Sequence, residues 1–199
     1  MALNFCNNNS LSAITALPAS ISGGGLNLIS TQTASSSATI DFTSGIDSTY
    51  KEYIFKFINI HPASISDFTF NGSVDSGSNY NVTKTTSYFR AYHNENGADT
   101  DLSYNTSADL AQSTSFQRIN GILNESDSSG SGIIHLFDPS NTTFVKHFIG
   151  RSNAMTTTPY SQNAFIAGYF NTTSAINAVQ FKMASGNIDS GVIKLYGVS

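Results

Sequence analysis

Tyr53-Ile54-Phe55-Lys56-Phe57-Ile58-Asn59-Ile60 is apolar on both of its faces. Eight residues make a strand rather than a helix, and β-branched and aromatic side chains suit a pleated surface. An apolar run on both faces predicts a central strand covered on both sides. His61-Pro62 stops it, because proline cannot donate to the ladder. Toward the C-terminus, Val179, Phe181 and Met183 alternate with Gln180 and Lys182, the pattern of a half-buried strand. Asn187, Asp189 and Gly191 mark a turn, and Val192–Tyr196 is the last strand. Further strands are expected over 26–33, 37–42, 68–70, 82–93, 116–123, 133–137, 143–149, 163–170 and 175–183. Turn residues such as Asp75-Ser-Gly-Ser-Asn79 separate them. About ten or eleven short strands at this spacing argue for an all-β fold, an antiparallel β-sandwich or jelly roll, and against βαβ units. Helical signals are confined to one turn over 107–112 and to Leu11, Ile14 and Leu17. The expected core is Phe55, Phe57, Ile58, Phe148, Phe165, Val179, Phe181 and Leu195.

The chain divides into residues 1–25 and a sandwich domain over 26–199. The first charged side chain is Asp41, and Gly23-Gly-Gly25 precedes the first strand. Residues 1–25 hold too many apolar side chains for a solvated tail. They are expected to form an extended N-terminal arm whose Leu3, Phe5, Leu11, Ile14 and Leu17 bind a partner subunit. An uncharged segment avoids burying an unpaired ion in such a contact.

Charged residues are only 11% of the 199, against a usual share of about 25%. The net charge is -4 and the nine basic residues form no cluster, so nucleic-acid binding is not expected. No apolar run approaches the ~18 residues of a membrane span, so no membrane partner is expected. One cysteine, Cys6, excludes an internal disulfide. Met1-Ala-Leu-Asn-Phe5 lacks the positive flank and long apolar stretch of a secretory signal, so a protein made and kept in a cytoplasm, or released by lysis, is expected.

Catalytic signals are weak. His61, His93, His135 and His147 lie at or near strands without helical pairing, and each is expected to be buried and satisfied. No Gly-x-Ser-x-Gly elbow occurs, and Cys6 has no cation beside it to lower its pKa. Glu95, Asp99, Asp101, Asp109, Glu125 and Asp127 could offer oxygens to calcium, but their spacing matches no EF-hand, and a solvated acidic rim is expected. Tyr80, Tyr88, Tyr92 and Tyr104 could stack on sugars in a lectin-like jelly roll. No enzyme activity, cofactor or metal is expected.

Three stretches carry a resemblance. They are Ser44-Gly-Ile-Asp-Ser-Thr-Tyr50 leading into Phe55-Lys-Phe-Ile-Asn-Ile-His-Pro62, then His135-Leu-Phe-Asp-Pro-Ser-Asn-Thr-Thr-Phe-Val-Lys-His147, and Ser185-Gly-Asn-Ile-Asp-Ser-Gly-Val-Ile-Lys-Leu-Tyr-Gly197. With these the chain resembles a family of virion-associated proteins of marine tailed phages, including cyanophages, over most of residues 26–197. The resemblance implies a non-enzymatic bacteriophage structural protein. Its leading role would be capsid decoration, as a cement protein on the outer head. The alternative is a tail-fibre or receptor-binding module that takes a glycan. The implied partners are other copies in a homotrimer and the major capsid protein or other virion proteins. Its location would be the virion, assembled in the host cytoplasm.

Overall fold

The computed structural model describes residues 25–157 and 159–199, so the arm residues Leu3, Phe5, Leu11, Ile14 and Leu17, with Cys6, lie outside the described part. Twelve strands follow in order: β1 (Leu26–Ser37), β2 (Ile40–Phe42), β3 (Glu52–Pro62), β4 (Ser66–Ser73), β5 (Lys84–Asn94), β6 (Thr100–Tyr104), β7 (Gln117–Ile122), β8 (Gly130–Phe137), β9 (Lys146–Thr156), β10 (Tyr160–Phe170), β11 (Ala178–Met183) and β12 (Ile188–Val198). Every pairing is antiparallel. One sheet has the order β1-β12-β3-β8-β9-β10-β5-β6, and the other has β2-β11-β4-β7. The fold is an antiparallel β-sandwich of eight strands against four.

The layer between the sheets is aromatic. Phe55 and Phe57 of β3 face inward onto Phe181 of β11 and Phe68 of β4, with ring centroids 5.3 and 5.4 Å apart. Phe70 of β4 meets Phe148 of β9 edge-on at 5.2 Å. Phe148 in turn leans on Phe170 of β10 at 5.1 Å. Edge-to-face and offset pairs of this kind add to the area term that drives the two sheets together. Close packing sets residue size as well. A Cβ on Gly132 of β8 would lie 2.7 Å from the Phe57 ring, so only glycine lets that ring fill its place.

Six of the expected core residues are buried: Phe55, Phe57, Phe148, Val179, Phe181 and Leu195. Two are not. Ile58 is 43% exposed, because Phe57 takes the inward position and Ile58 the next, outward one. Asn59 then adopts a left-handed φ of 51° and the β3–β8 register shifts between Phe57 and Ile60. That bulge returns Ile60 to the core. Phe165 has the wrong parity, since its neighbours Ala164 and Ile166 take the inward positions of β10. Nor is β3 covered on both sides, for its outer face is the surface of the large sheet. The helical turn expected over 107–112 is absent. Asn105 Oδ1 instead accepts from the Ser107 amide at 3.0 Å and from its hydroxyl at 2.7 Å, closing an Asx turn.

Two lysines point inward. Lys84 and Lys146 pair with Phe170 from its two sides, and both are fully buried. Neither has a carboxylate bonded to its amine. Lys84 Nζ donates to Ser115 O at 2.6 Å and Val82 O at 3.2 Å. Lys146 Nζ donates to Phe144 O at 2.9 Å and Thr172 O at 3.1 Å. A neutral amine has two N–H donors, enough for two carbonyls. Burial pushes Lys84 down to about 7, and it lowers Lys146 as well, with Asp138 pulling the other way. Above neutral pH the folded chain has therefore released a proton that the unfolded lysine holds until about 10.4. Stability should rise with pH across that window. The buried hydroxyls of Tyr53 and Tyr88, raised chiefly by desolvation, oppose this only above about pH 10. Thermal midpoints measured from about pH 7 to 9.5 are expected to climb, and to climb less than half as far in Lys84→Met. A flat wild-type profile would contradict this account of the buried amines.

Candidate functional site

The outer face of the large sheet is built from the side chains that alternate away from the aromatic layer. One register row crosses all eight strands: Thr31, Lys194, Lys56, Ile133, Arg151, Phe165, Phe89 and Tyr104. The adjacent row runs Leu28, Tyr196, Ile54, His135, Ile149, Ala167 and Ser87. A third holds Ser131, Asn153, Asn163, Ala91 and Leu102.

These rows order themselves by stacking. Phe165 lies on Phe89 with centroids 4.6 Å apart and planes 6° from parallel. The Arg151 guanidinium sits 5.1 Å from the Phe165 ring centre, and its Nε donates to Asn163 Oδ1 at 3.1 Å. Lys56 covers the Tyr196 ring at 5.3 Å. Much apolar surface is left in water: Leu102 is 70% exposed, Leu28 56% and Ile149 54%. Those three are spread over β6, β1 and β9, and the contiguous run is Phe165, Phe89 and Tyr104 on neighbouring strands. Contiguous apolar side chains on a rigid sheet mark an interaction surface. The edges add to it. β1 and β6 are the open ends of the large sheet, and their backbone groups can pair with another chain. Lys194 of β12 and Lys56 of β3 lie toward β1 and Arg151 of β9 near mid-sheet, while Glu95, Asp99, Asp101 and Asp109 lie on β6 and its flanking loops.

The other expected site residues are dispersed. No histidine is buried: His93 and His147 are exposed, and His61 and His135 half-buried. His135 Nδ1 pairs with Glu52 Oε1, and His61 Nδ1 lies 2.8 Å from Ser128 O. They miss the core because three of the four sit at outward positions of the large sheet. Two of the six acidic candidates hold local partners, with Tyr160 donating to Asp99 at 2.9 Å and Tyr104 to Asp109 at 2.7 Å. Among the described residues no three His, Cys, Asp or Glu side chains converge as a metal centre requires. Of the four tyrosines that might stack on sugars, Tyr88 is fully buried and Tyr80 half-buried. Tyr104 is 53% exposed on the outer face, and Tyr92 lines a separate cleft. The aromatic stack of Phe89 and Phe165 was invisible to sequence reasoning as a surface feature. Strict parity counting from Ala164 and Ile166 is the signal that would have found it.

No family model matches this chain, nor does any curated protein or solved structure match it.

Proposed function

We propose that this protein is a non-enzymatic structural component of a tailed-phage virion, set on the outer head surface as a decoration or cement protein. The observation that carries the proposal is the outer face of the large sheet, where exposed apolar and aromatic side chains lie in register over a rigid sandwich. A decoration protein needs such a face, since it must hold its neighbours without a cofactor. Its occupant is a second copy of the chain. Lys194 and Lys56 near the β1 edge and the carboxylates at the β6 edge complement each other head to tail, and a head-to-tail contact closes into a ring when its rotation divides the circle. A homotrimer is the ring that suits a threefold position on a head. The uncharged arm over 1–25 then reaches the major capsid protein or another virion protein, using Leu3, Phe5, Leu11, Ile14 and Leu17. Copy number in purified particles tests the proposal: a cement protein is present in hundreds of copies, a fibre or receptor-binding module in a few dozen or fewer.

A further inference from the structure

We infer that the cleft at one end of the sandwich, where Arg90 and Arg118 converge, binds the carboxylate of an acidic sugar. This inference is independent of the outer face and of the role in a particle.

The chain has only three arginines, and two of them line this cleft. Its volume is about 280 Å³, near the lower end of the ~300–1,000 Å³ usual for ligand sites. A neighbouring recess of about 200 Å³ shares Arg90, Thr156, Thr157 and Gln162 in its lining and adds Tyr92 and Tyr160. Arg118 comes from β7, Arg90 and Tyr92 from β5, and Tyr160 from β10, so three regular strands hold these side chains.

Both guanidiniums are fixed before any ligand arrives. Arg90 lies over Tyr92, 5.2 Å from the ring centre, and Arg118 over Tyr88 at 5.9 Å. Arg90 Nη1 donates to Gln162 Oε1 at 2.9 Å. Gln162 donates to Asn120 Oδ1 at 2.5 Å, and Asn120 to Ser152 Oγ at 3.1 Å. Gln162, Asn120 and Ser152 are buried, so this amide chain anchors Arg90 in the sandwich interior. Gly121 leaves space for Arg118, as a Cβ there would lie 2.8 Å from Arg118 Nη2. Such pre-ordering lowers the entropic cost of binding.

The donors exceed the acceptors. The Nε atoms of Arg90 and Arg118 are buried without a hydrogen-bond partner. Asp67 is the one carboxylate in the lining. Its Oδ1 is 3.1 Å from Arg118 Nε, a close ion pair that is not aligned as a hydrogen bond. Burial raises the Asp67 carboxyl, and Arg118 only partly offsets this. Two arginines facing one acid leave a net positive site in a chain of net charge -4. Guanidinium forks match carboxylates bidentately. The half-exposed rings of Tyr92 and Tyr160, with the hydroxyls of Ser66 and Thr156, fit a pyranose ring better than a bare inorganic anion.

Saturation-transfer NMR titrations of the full chain test this, with galacturonate, glucuronate and N-acetylneuraminate as probes and galactose and inorganic phosphate as controls. At least one acid should bind about 10-fold or more tightly than both controls. Arg90→Gln should weaken it about 10-fold or more, and Tyr160→Ala several-fold, while Lys51→Gln, an exposed cation outside the cleft lining, leaves it unchanged. Tyr160 sits at the rim, so its variant reports binding even if an arginine variant misfolds. The inference is overturned if no acid outbinds galactose, if phosphate binds as tightly as the best acid, or if folded Arg90→Gln and Tyr160→Ala both bind as wild type.

Discussion

Phe181→Ala should lower the unfolding free energy by about 3–5 kcal/mol, the range found for buried phenylalanines. The ring is fully buried on β11 of the small sheet. It stacks on Phe68 at 5.7 Å and Phe70 at 6.2 Å within its own sheet, and it meets Phe55 of the large sheet at 5.3 Å. Phe42 closes the fourth side edge-on at 6.2 Å. Four rings held by three different strands cannot collapse together into the space of one lost ring, so the cavity term stays large. The cost therefore belongs at the upper part of the range. Phe165→Ala, which removes a ring of the same size from the outer face, should cost much less. Chemical denaturation of both variants checks the assignment of faces. Equal losses would contradict it.

The second large effect concerns assembly. Wild-type protein at micromolar concentration is expected to sediment as a trimer of the 21.2 kDa chain. Ile149→Asp combined with Leu102→Asp should leave it a monomer. Both side chains are more than half exposed in one copy, so the fold should tolerate the change within about 0.5 kcal/mol. In the assembled ring each new carboxylate is buried without a partner, a loss of about 3–5 kcal/mol per site. Even one such loss weakens association about 100-fold. A wild-type chain that sediments only as monomer, or a double variant that still sediments as trimer with an unchanged thermal midpoint, would exclude the outer face as the self-contact.

How legible all this was depends on which strand is asked. β11 shows clean alternation and was readable at once, as was the turn over 75–79, where Ser73, Asn79 and the Asn79 amide bond to Asp75 and hold its carboxyl down at about 2. β12 was legible only over Val192–Tyr196: Asn187, Asp189 and Gly191 read as a turn, whereas the strand starts at Ile188 and bulges through Asp189 and Gly191. β6 was missed. Thr100-Asp-Leu-Ser-Tyr104 is an edge strand with no buried residue, so no inward apolar pattern exists to see. β3 was recognised as central, yet its second apolar face was taken for a covered one. Apolarity alone does not distinguish a face packed under another layer from one kept for a partner. Lys84 and Lys146 defeated the pattern in the opposite sense, since charged side chains at inward positions look like outward ones. The arginine cleft was not readable either. Arg90 and Arg118 lie 28 positions apart, and only the order of β5, β10 and β7 around the end of the sandwich brings them together. The split of eight strands against four is likewise a product of long-range pairing, which local turn chemistry does not encode.

The central claim is that this chain is a structural protein of the particle, and its abundance there is the direct measure. Quantitative mass spectrometry of purified phage particles, calibrated against the major capsid protein, reads the number of copies per head. Decoration of the threefold positions by homotrimers predicts hundreds of copies in a fixed ratio to the capsid protein. It also predicts that they stay with the heads when tails are sheared away. Absence from purified particles would contradict a virion role, and a few dozen copies lost with the tails would contradict the head location.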